Sequence, residues 1–141
     1  MNGKVPKISV DILIVKDNKL LLGLLTKKWN YKEKQVYGVP GRDIRFGEKI
    51  GDTVKRNIKE DIDCRVVKYE IICVNANYAL DNHYIGIGVV VDIDGEPKKN
   101  LISKDWERWE WFDKNNIPNN LFPAAKNLIE SYLNNKVNVS E

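Results

Sequence analysis

The stretch Val39-Pro40-Gly41-Arg42-Asp43-Ile44-Arg45-Phe46-Gly47-Glu48, continued at Arg56-Asn57-Ile58-Lys59-Glu60-Asp61-Ile62-Asp63-Cys64, is the most informative part of this chain. Val54, Ile58 and Ile62 recur at steps of four, the apolar stripe of a helix expected over residues 51–63. Asn57, Glu60 and Asp61 are spaced by three and four, so they project from one side of that helix, beside the stripe. Lys55 and Lys59 fall on the opposite, solvent side. Adjacent carboxylates at the edge of a buried face repel unless a cation lies between them. Hard oxygen donors favour Mg²⁺ or Mn²⁺, which keep several waters and bridge to substrate phosphates. The preceding loop holds Gly41, Arg42, Arg45 and Gly47. Glycine lets backbone approach an ion closely, and a guanidinium fork matches phosphate oxygens. Arg42 and Arg45 also admit a reading as solvated loop residues. Arg56 lies one turn before Glu60 and can pair with it or with Glu48.

Outward from this segment, residues 8–15 and 20–25 are apolar runs joined by Lys16-Asp17-Asn18-Lys19, which predicts a hairpin. Residues 27–34 are polar and read as a loop. Residues 35–39 read as a short strand ended by Pro40-Gly41, and residues 42–47 as a loop. Residues 65–79 and 83–93 are β-like, and residues 108–112 form a short strand in which one of Trp109 and Trp111 is expected to face the core and the other the site or an interface. Residues 121–133 carry Leu121, Ala125, Leu128, Ile129 and Leu133 on one helical face. Strands around one early helix and one closing helix predict an α/β fold, a mixed sheet covered by helices on both sides. One domain over residues 1–141 is expected, with its core at 8–133 and a polar tail at 134–141.

The central stretch resembles the box of the Nudix hydrolases, G-x5-E-x7-R-E-U-x-E-E-x-G-U, where U is a bulky apolar residue. Aligned on Glu48, the chain matches at Glu48, Arg56, Ile58 and Glu60, nearly matches at Asp61 and Cys64, and departs at Arg42, Asn57 and Asp63. Pro40-Gly41, Gly47-Glu48 and the later Trp109-Glu110-Trp111-Phe112 with Ile117-Pro118 extend the likeness. The resemblance implies an α/β/α sandwich and hydrolysis of a nucleoside diphosphate linked to another group X, here a (d)NTP or a nucleotide sugar. It implies Mg²⁺, with Mn²⁺ as the substitute, held by Glu60 and Asp61, by a Gly41 carbonyl and at the Asn57 position. Glu48 and Arg56 then form the pair that ties loop to helix and, with Glu60, make up the catalytic set. Arg42, Arg45 and Tyr37 are the expected contacts to the nucleotide.

Asn57 stands where the family carries Glu. An amide can offer a metal its carbonyl oxygen but cannot act as a base. A base from outside the box is then expected from Asp81, His83, Asp105, Glu107 or Glu110. The alternatives are a slow metal-driven reaction or a nucleotide-binding module without turnover. The branch that hydrolyses GDP-mannose also lacks this carboxylate and attacks the sugar carbon, and residues 8–15 are similar to it.

Composition sets the outer limits. At 141 residues, 43% hydrophobic and 30% charged, the chain is neither disordered nor collagen-like. A net charge of +3 permits an anionic ligand but does not point to nucleic acid. No apolar run approaches the ~20 residues of a bilayer span, and Met1-Asn2-Gly3-Lys4 shows no apolar leader. Cys64 and Cys73 lie in apolar runs and read as reduced core thiols of a cytoplasmic protein. His83 and Trp106 read as structural, and Lys27-Lys28, Lys32, Lys34 and Lys98-Lys99 as solvated faces. A homodimer is expected from the resemblance.

Overall fold

The computed structural model describes residues 4–98 and 103–141. Met1-Asn2-Gly3, read for a leader, and Lys99, read with Lys98 as a solvated pair, lie outside them.

The run of β-branched residues at 8–15 becomes the central strand β1, Lys7–Lys16, and the next apolar run becomes β2, Lys19–Leu25. Asp17 and Asn18 between them both take positive φ, 52° and 63°, which closes a two-residue hairpin. A single 3₁₀ turn, Lys27–Trp29, interrupts the polar loop. Two short strands follow, β3 at Tyr37–Gly38 and β4 at Gly41–Asp43, and then helix α1, Ile50–Ile62. The long strands β5, Arg65–Ala79, and β6, Asn82–Asp94, form a second hairpin. Strand β7, Trp106–Asp113, and helix α2, Pro123–Asn134, complete the elements.

The sheet runs β3-β2-β1-β6-β5, with β4 added to β1 and β7 to β2. Only β1 and β6 pair in parallel; the other pairs are antiparallel, so the sheet is mixed. Period-two alternation sends Val10, Ile12 and Ile14 to the face covered by Val54, Ile58 and Ile62 of α1. Leu13, Leu20 and Leu22 go to the other face, against Leu128 and Ile129 of α2. A sheet between two helices is the expected α/β/α sandwich.

Three expectations change. Residues 42–47 are not all loop, because Gly41–Asp43 pairs with Ser9–Asp11 of β1. Gly41 permits this pairing: a Cβ there would lie 2.5 Å from the Val10 carbonyl oxygen. Trp109 and Trp111 both pack against the α1-side core, since residues two apart in a strand share a face. The polar tail is docked rather than free. The Val74 amide donates to the Val137 carbonyl at 2.8 Å, and the Ala76 amide donates to Ser140 Oγ at 3.0 Å, so the tail satisfies part of the β5 edge.

One feature of the topology positions the site. The edge of β1 opposite β6 is shared: Ile14–Lys16 pair with β2, whereas Ser9–Asp11 pair with β4. The chain forks between them, and the Ile12 amide is taken by the Pro40 carbonyl at 2.8 Å. A cleft opens at this fork.

Candidate functional site

A cavity of about 460 Å³ fills the fork, within the size range of small-molecule sites. Its wall combines the cations Arg42, Arg45 and Arg56 with the rings of Trp29, Trp106, Tyr84 and Phe122, and Ser9 and Asp11 of β1 also line it. Trp29 and Arg42 meet on one carboxylate, Asp105, so charge and rings are interleaved. Such a wall suits phosphate oxygens together with a flat ring or a sugar.

The loop from β4 to α1 is held by Glu48. Its Oε1 accepts from the Arg45 amide at 2.7 Å, from Thr53 Oγ1 at 3.1 Å and from Arg56 Nη2 at 2.8 Å, while Oε2 accepts from Arg56 Nε at 2.8 Å. Arg56 Nη2 also donates to the Asp43 carbonyl at 3.2 Å, which ties β4 to the same pair. These donors, Arg56 foremost, hold the Glu48 carboxyl at about 2, below its ordinary 4.5. A depressed folded-state value adds stability above the unfolded value, and this is lost as pH falls from about 4.5 through about 2. Glu48→Gln should therefore be least stable relative to the native chain at neutral pH. The two urea midpoints should converge toward pH 2; a gap independent of pH would contradict the assigned pairing.

Asn57, Glu60 and Asp61, expected together on one side of α1, separate by depth. Asn57 is fully buried, and its Nδ2 donates to the Thr53 carbonyl at 2.8 Å. The Asp61 side chain is 1% exposed, whereas that of Glu60 is 27% exposed and lies 3.9 Å from Arg56 Nη1. Asp61 Oδ1 accepts from Arg42 Nη2 at 3.0 Å. The same nitrogen donates to Ser103 Oγ at 2.8 Å, and Arg42 Nη1 to Asp105 Oδ2 at 3.2 Å. Arg42 is thus not a solvated loop residue; it bridges the box helix to the segment before β7, and the exposed third of its side chain lies on the cavity wall. Burial pushes the Asp61 carboxyl up, and Arg42, Ser103 and Trp106 oppose that shift.

Among the described residues two buried oxygens of α1, Asn57 Oδ1 and Asp61 Oδ2, lack a hydrogen bond of good geometry, and so does Trp106 Nε1. That indole nonetheless lies close enough to Asp61 to favour its carboxylate. Buried acceptors left unpaired are uncommon and costly. One turn apart, with the Glu60 carboxylate nearer the surface, they are oxygen donors of the kind a hard divalent cation would use, although none of Asn57, Glu60 and Asp61 lines the cavity itself. Among the described residues no group of three or more His, Cys, Asp or Glu side chains could hold a metal. Amide oxygen, water and substrate phosphate would have to complete the shell.

Tyr37 is not where the sequence placed it. Its hydroxyl donates to Glu110 Oε2 at 2.7 Å and accepts from Arg108 at 3.2 Å, and its ring stands edge-on to Phe112 at 5.1 Å. It serves β7 packing and is not part of the cavity wall; the adjacent Gly38 and Val39 are. Arg45 lines the cavity and is exposed. Gly41 lines it at the β1–β4 fork. Of the proposed outside bases, only Asp105 reaches the cavity wall, where its Oδ1 accepts from Trp29 Nε1 at 3.0 Å. Asp81 pairs with Lys4 and Tyr78, and Glu110 is taken by Tyr37 and Arg108. His83 and Glu107 are exposed and do not line the cavity.

Asp11 was missed, although it is the one charged residue inside the apolar run at 8–15. Ser9 Oγ donates to its Oδ1 at 3.2 Å, and burial pushes its carboxyl up to about 6. A Cβ at Gly86 of the neighbouring strand would lie 2.2 Å from Asp11 Oδ2, so glycine there makes room for the carboxylate.

The box departs at three of nine fixed positions, and no protein-family model matches the chain. Over 130 residues it is 32% identical to the ADP-ribose pyrophosphatase of Methanocaldococcus jannaschii, spanning 91% of this chain and 73% of the relative. A MutT Nudix hydrolase from Burkholderia pseudomallei superposes with a TM-score of 0.78 at 22% identity, covering 90% of this chain and 98% of its own. The Nudix domain of Shewanella oneidensis NrtR, crystallised with ADP ribose, superposes with a TM-score of 0.71 at 19% identity, covering 93% of this chain and 88% of its own. With a relative of this identity spanning nearly the whole sequence, and the box folded into the loop–helix unit that lines the cleft, the chain belongs to the Nudix hydrolase family and is a Nudix pyrophosphohydrolase.

Proposed function

We propose that the chain hydrolyses the diphosphate of a nucleotide sugar of the ADP-ribose type, with (d)NTPs as the second substrate class. The observation that carries this reading is the cavity at the fork, whose wall combines three arginines with four aromatic rings. The names of the M. jannaschii relative and of the S. oneidensis complex support the nucleotide-sugar class.

Arg45 and Arg56 on the cavity wall offset the charge of the diphosphate. The aromatic side chains of the same wall pack on the nucleoside or sugar. Glu48 and Arg56 keep the loop on the helix, so the Gly41 carbonyl and the α1 donors stay in register. Glu60, Asp61 and the Asn57 amide oxygen would hold Mg²⁺, or Mn²⁺ in its place. When bound, such an ion offsets diphosphate charge and acidifies the attacking water. Asn57 cannot take that water's proton. Asp105, alone of the outside candidates on the cavity wall, is the base we assign.

The exposed apolar side chains Val67, Tyr69 and Ile71 on β5 support a homodimer. The two buried free thiols support a reducing, cytoplasmic setting. No helix among the described residues is long and apolar enough to cross a membrane.

The test is a panel of ADP-ribose, nucleotide sugars and (d)NTPs incubated with Mg²⁺, with Mn²⁺ and with chelator, with products resolved by chromatography. Release of AMP from ADP-ribose that stops with chelator is the expected result. Absence of product from every nucleotide would overturn it.

A further inference from the structure

Position 42 is glycine in the Nudix box and arginine here, and its guanidinium stands 3.0 Å from the buried Asp61. A carboxylate 1% exposed needs a cation beside it, because an unpaired buried charge is strongly destabilising. Arg42 already supplies that charge. The nitrogen that bonds Asp61 also donates to Ser103, and the other terminal nitrogen donates to Asp105, so three groups hold the fork in place. On α1, Asn57 Oδ1 and Asp61 Oδ2 are buried one turn apart and have no hydrogen-bond partner among the described residues. The Arg42 side chain is nevertheless 34% exposed and lines the cavity, so an incoming diphosphate can reach it.

We propose that Arg42 is the resident cation of the box and competes with a divalent ion for Asp61, which makes ion entry depend on a diphosphate drawing the guanidinium away. This rests on the placement of the ion at Asp61 and Asn57 proposed above. Arg42 is a positioning residue in this scheme. It holds the Asp61 carboxyl in place without the metal, and it couples two ligands that meet at one side chain. Such coupling is reciprocal: diphosphate must tighten the ion by the factor by which the ion tightens diphosphate.

The experiment titrates Mn²⁺ into the full chain and reads free ion by electron paramagnetic resonance, with and without α,β-methylene-ADP as a non-cleavable diphosphate. The proteins are the native chain, Arg42→Gly and Arg42→Gln. The native chain should bind Mn²⁺ weakly alone and about tenfold more tightly with the analogue, a typical coupling between two sites. Arg42→Gly should bind Mn²⁺ alone at least about tenfold more tightly than the native chain and gain less from the analogue than the native chain does, keeping only the part due to the phosphate oxygens as ligands. Its thermal midpoint should fall and then recover in saturating Mn²⁺, which a purely structural role for Arg42 would not produce. If the glycine variant does not fold, Arg42→Gln removes the charge while keeping much of the volume, and the same tightening is expected. Equal Mn²⁺ affinity with and without the arginine overturns the competition and leaves the metal placement standing. Analogue binding with no Mn²⁺ uptake by any of the three proteins overturns both.

Discussion

Glutamine in place of Glu60 should lower turnover about a hundredfold, comparable to the loss of a group that tunes a metal site, while the thermal midpoint stays within about 2 °C. The expectation follows from depth. Of the two box carboxylates on α1, Asp61 is sealed beneath Arg42, whereas Glu60 stands 27% exposed with only Arg56 near it, at 3.9 Å. Glu60 can meet an ion arriving from solution without any side chain moving. Glutamine keeps its length and one carbonyl oxygen and removes the negative charge. Little packing is lost, so a drop in rate without a drop in melting temperature isolates the electrostatic role. The assay is product release from the best substrate of the panel at saturating Mg²⁺. Turnover equal to that of the native chain would remove Glu60 from the site.

Ile58→Ala should cost about 3–4 kcal/mol and lower the thermal midpoint by roughly 10 °C. Ile58 is completely buried and belongs to the cluster that joins α1 to Val10, Ile12 and Val89 of the sheet. Truncation removes three carbons and leaves a cavity that the flanking strands cannot close, because β1 is held along its length by β6. The same residue seats the site: Asn57 precedes it, and Asp61 lies on the next turn. Urea unfolding monitored by tryptophan fluorescence measures the cost. A loss below about 1 kcal/mol would show that α1 is not fastened to the sheet through this side chain.

Local signals in the chain had identifiable physical origins. The β-branched run at 8–15 and the polar Asp17-Asn18 pair declare a hairpin because its turn needs two residues that tolerate positive φ. Val54, Ile58 and Ile62 declare α1 because steps of four stack on one helical face. Strand β4 carries no such signal. The three residues following Pro40 look like a turn and loop until β1 is known to offer a free half-edge at Ser9–Asp11. From the sequence Tyr37 could serve the ligand or the core, and only the pairing of β2 with β7 puts Glu110 and Arg108 within its reach. Asp11 was visible as an acid in an apolar run, but its place at the fork depended on Gly41 and Gly86 lying on the two flanking strands.

The sequence by itself determined the class of fold, the helix that carries the box and the carboxylates available to an ion. Those follow from periodicity and from spacing within a few turns of one helix, which the chain specifies locally. The Glu48–Arg56 pair was implied by the resemblance, since spacing alone left Arg56 a choice of Glu48 or Glu60. The tertiary structure decided which carboxylate is sealed and which is open, and that Arg42 lies against Asp61. It also brought Ser103 and Asp105, more than sixty residues downstream of Arg42, to hold it there. The depth of a side chain and the partner of a charge are set by elements distant in sequence that meet only when the sheet closes. Spacing along one strand or helix does not contain that information.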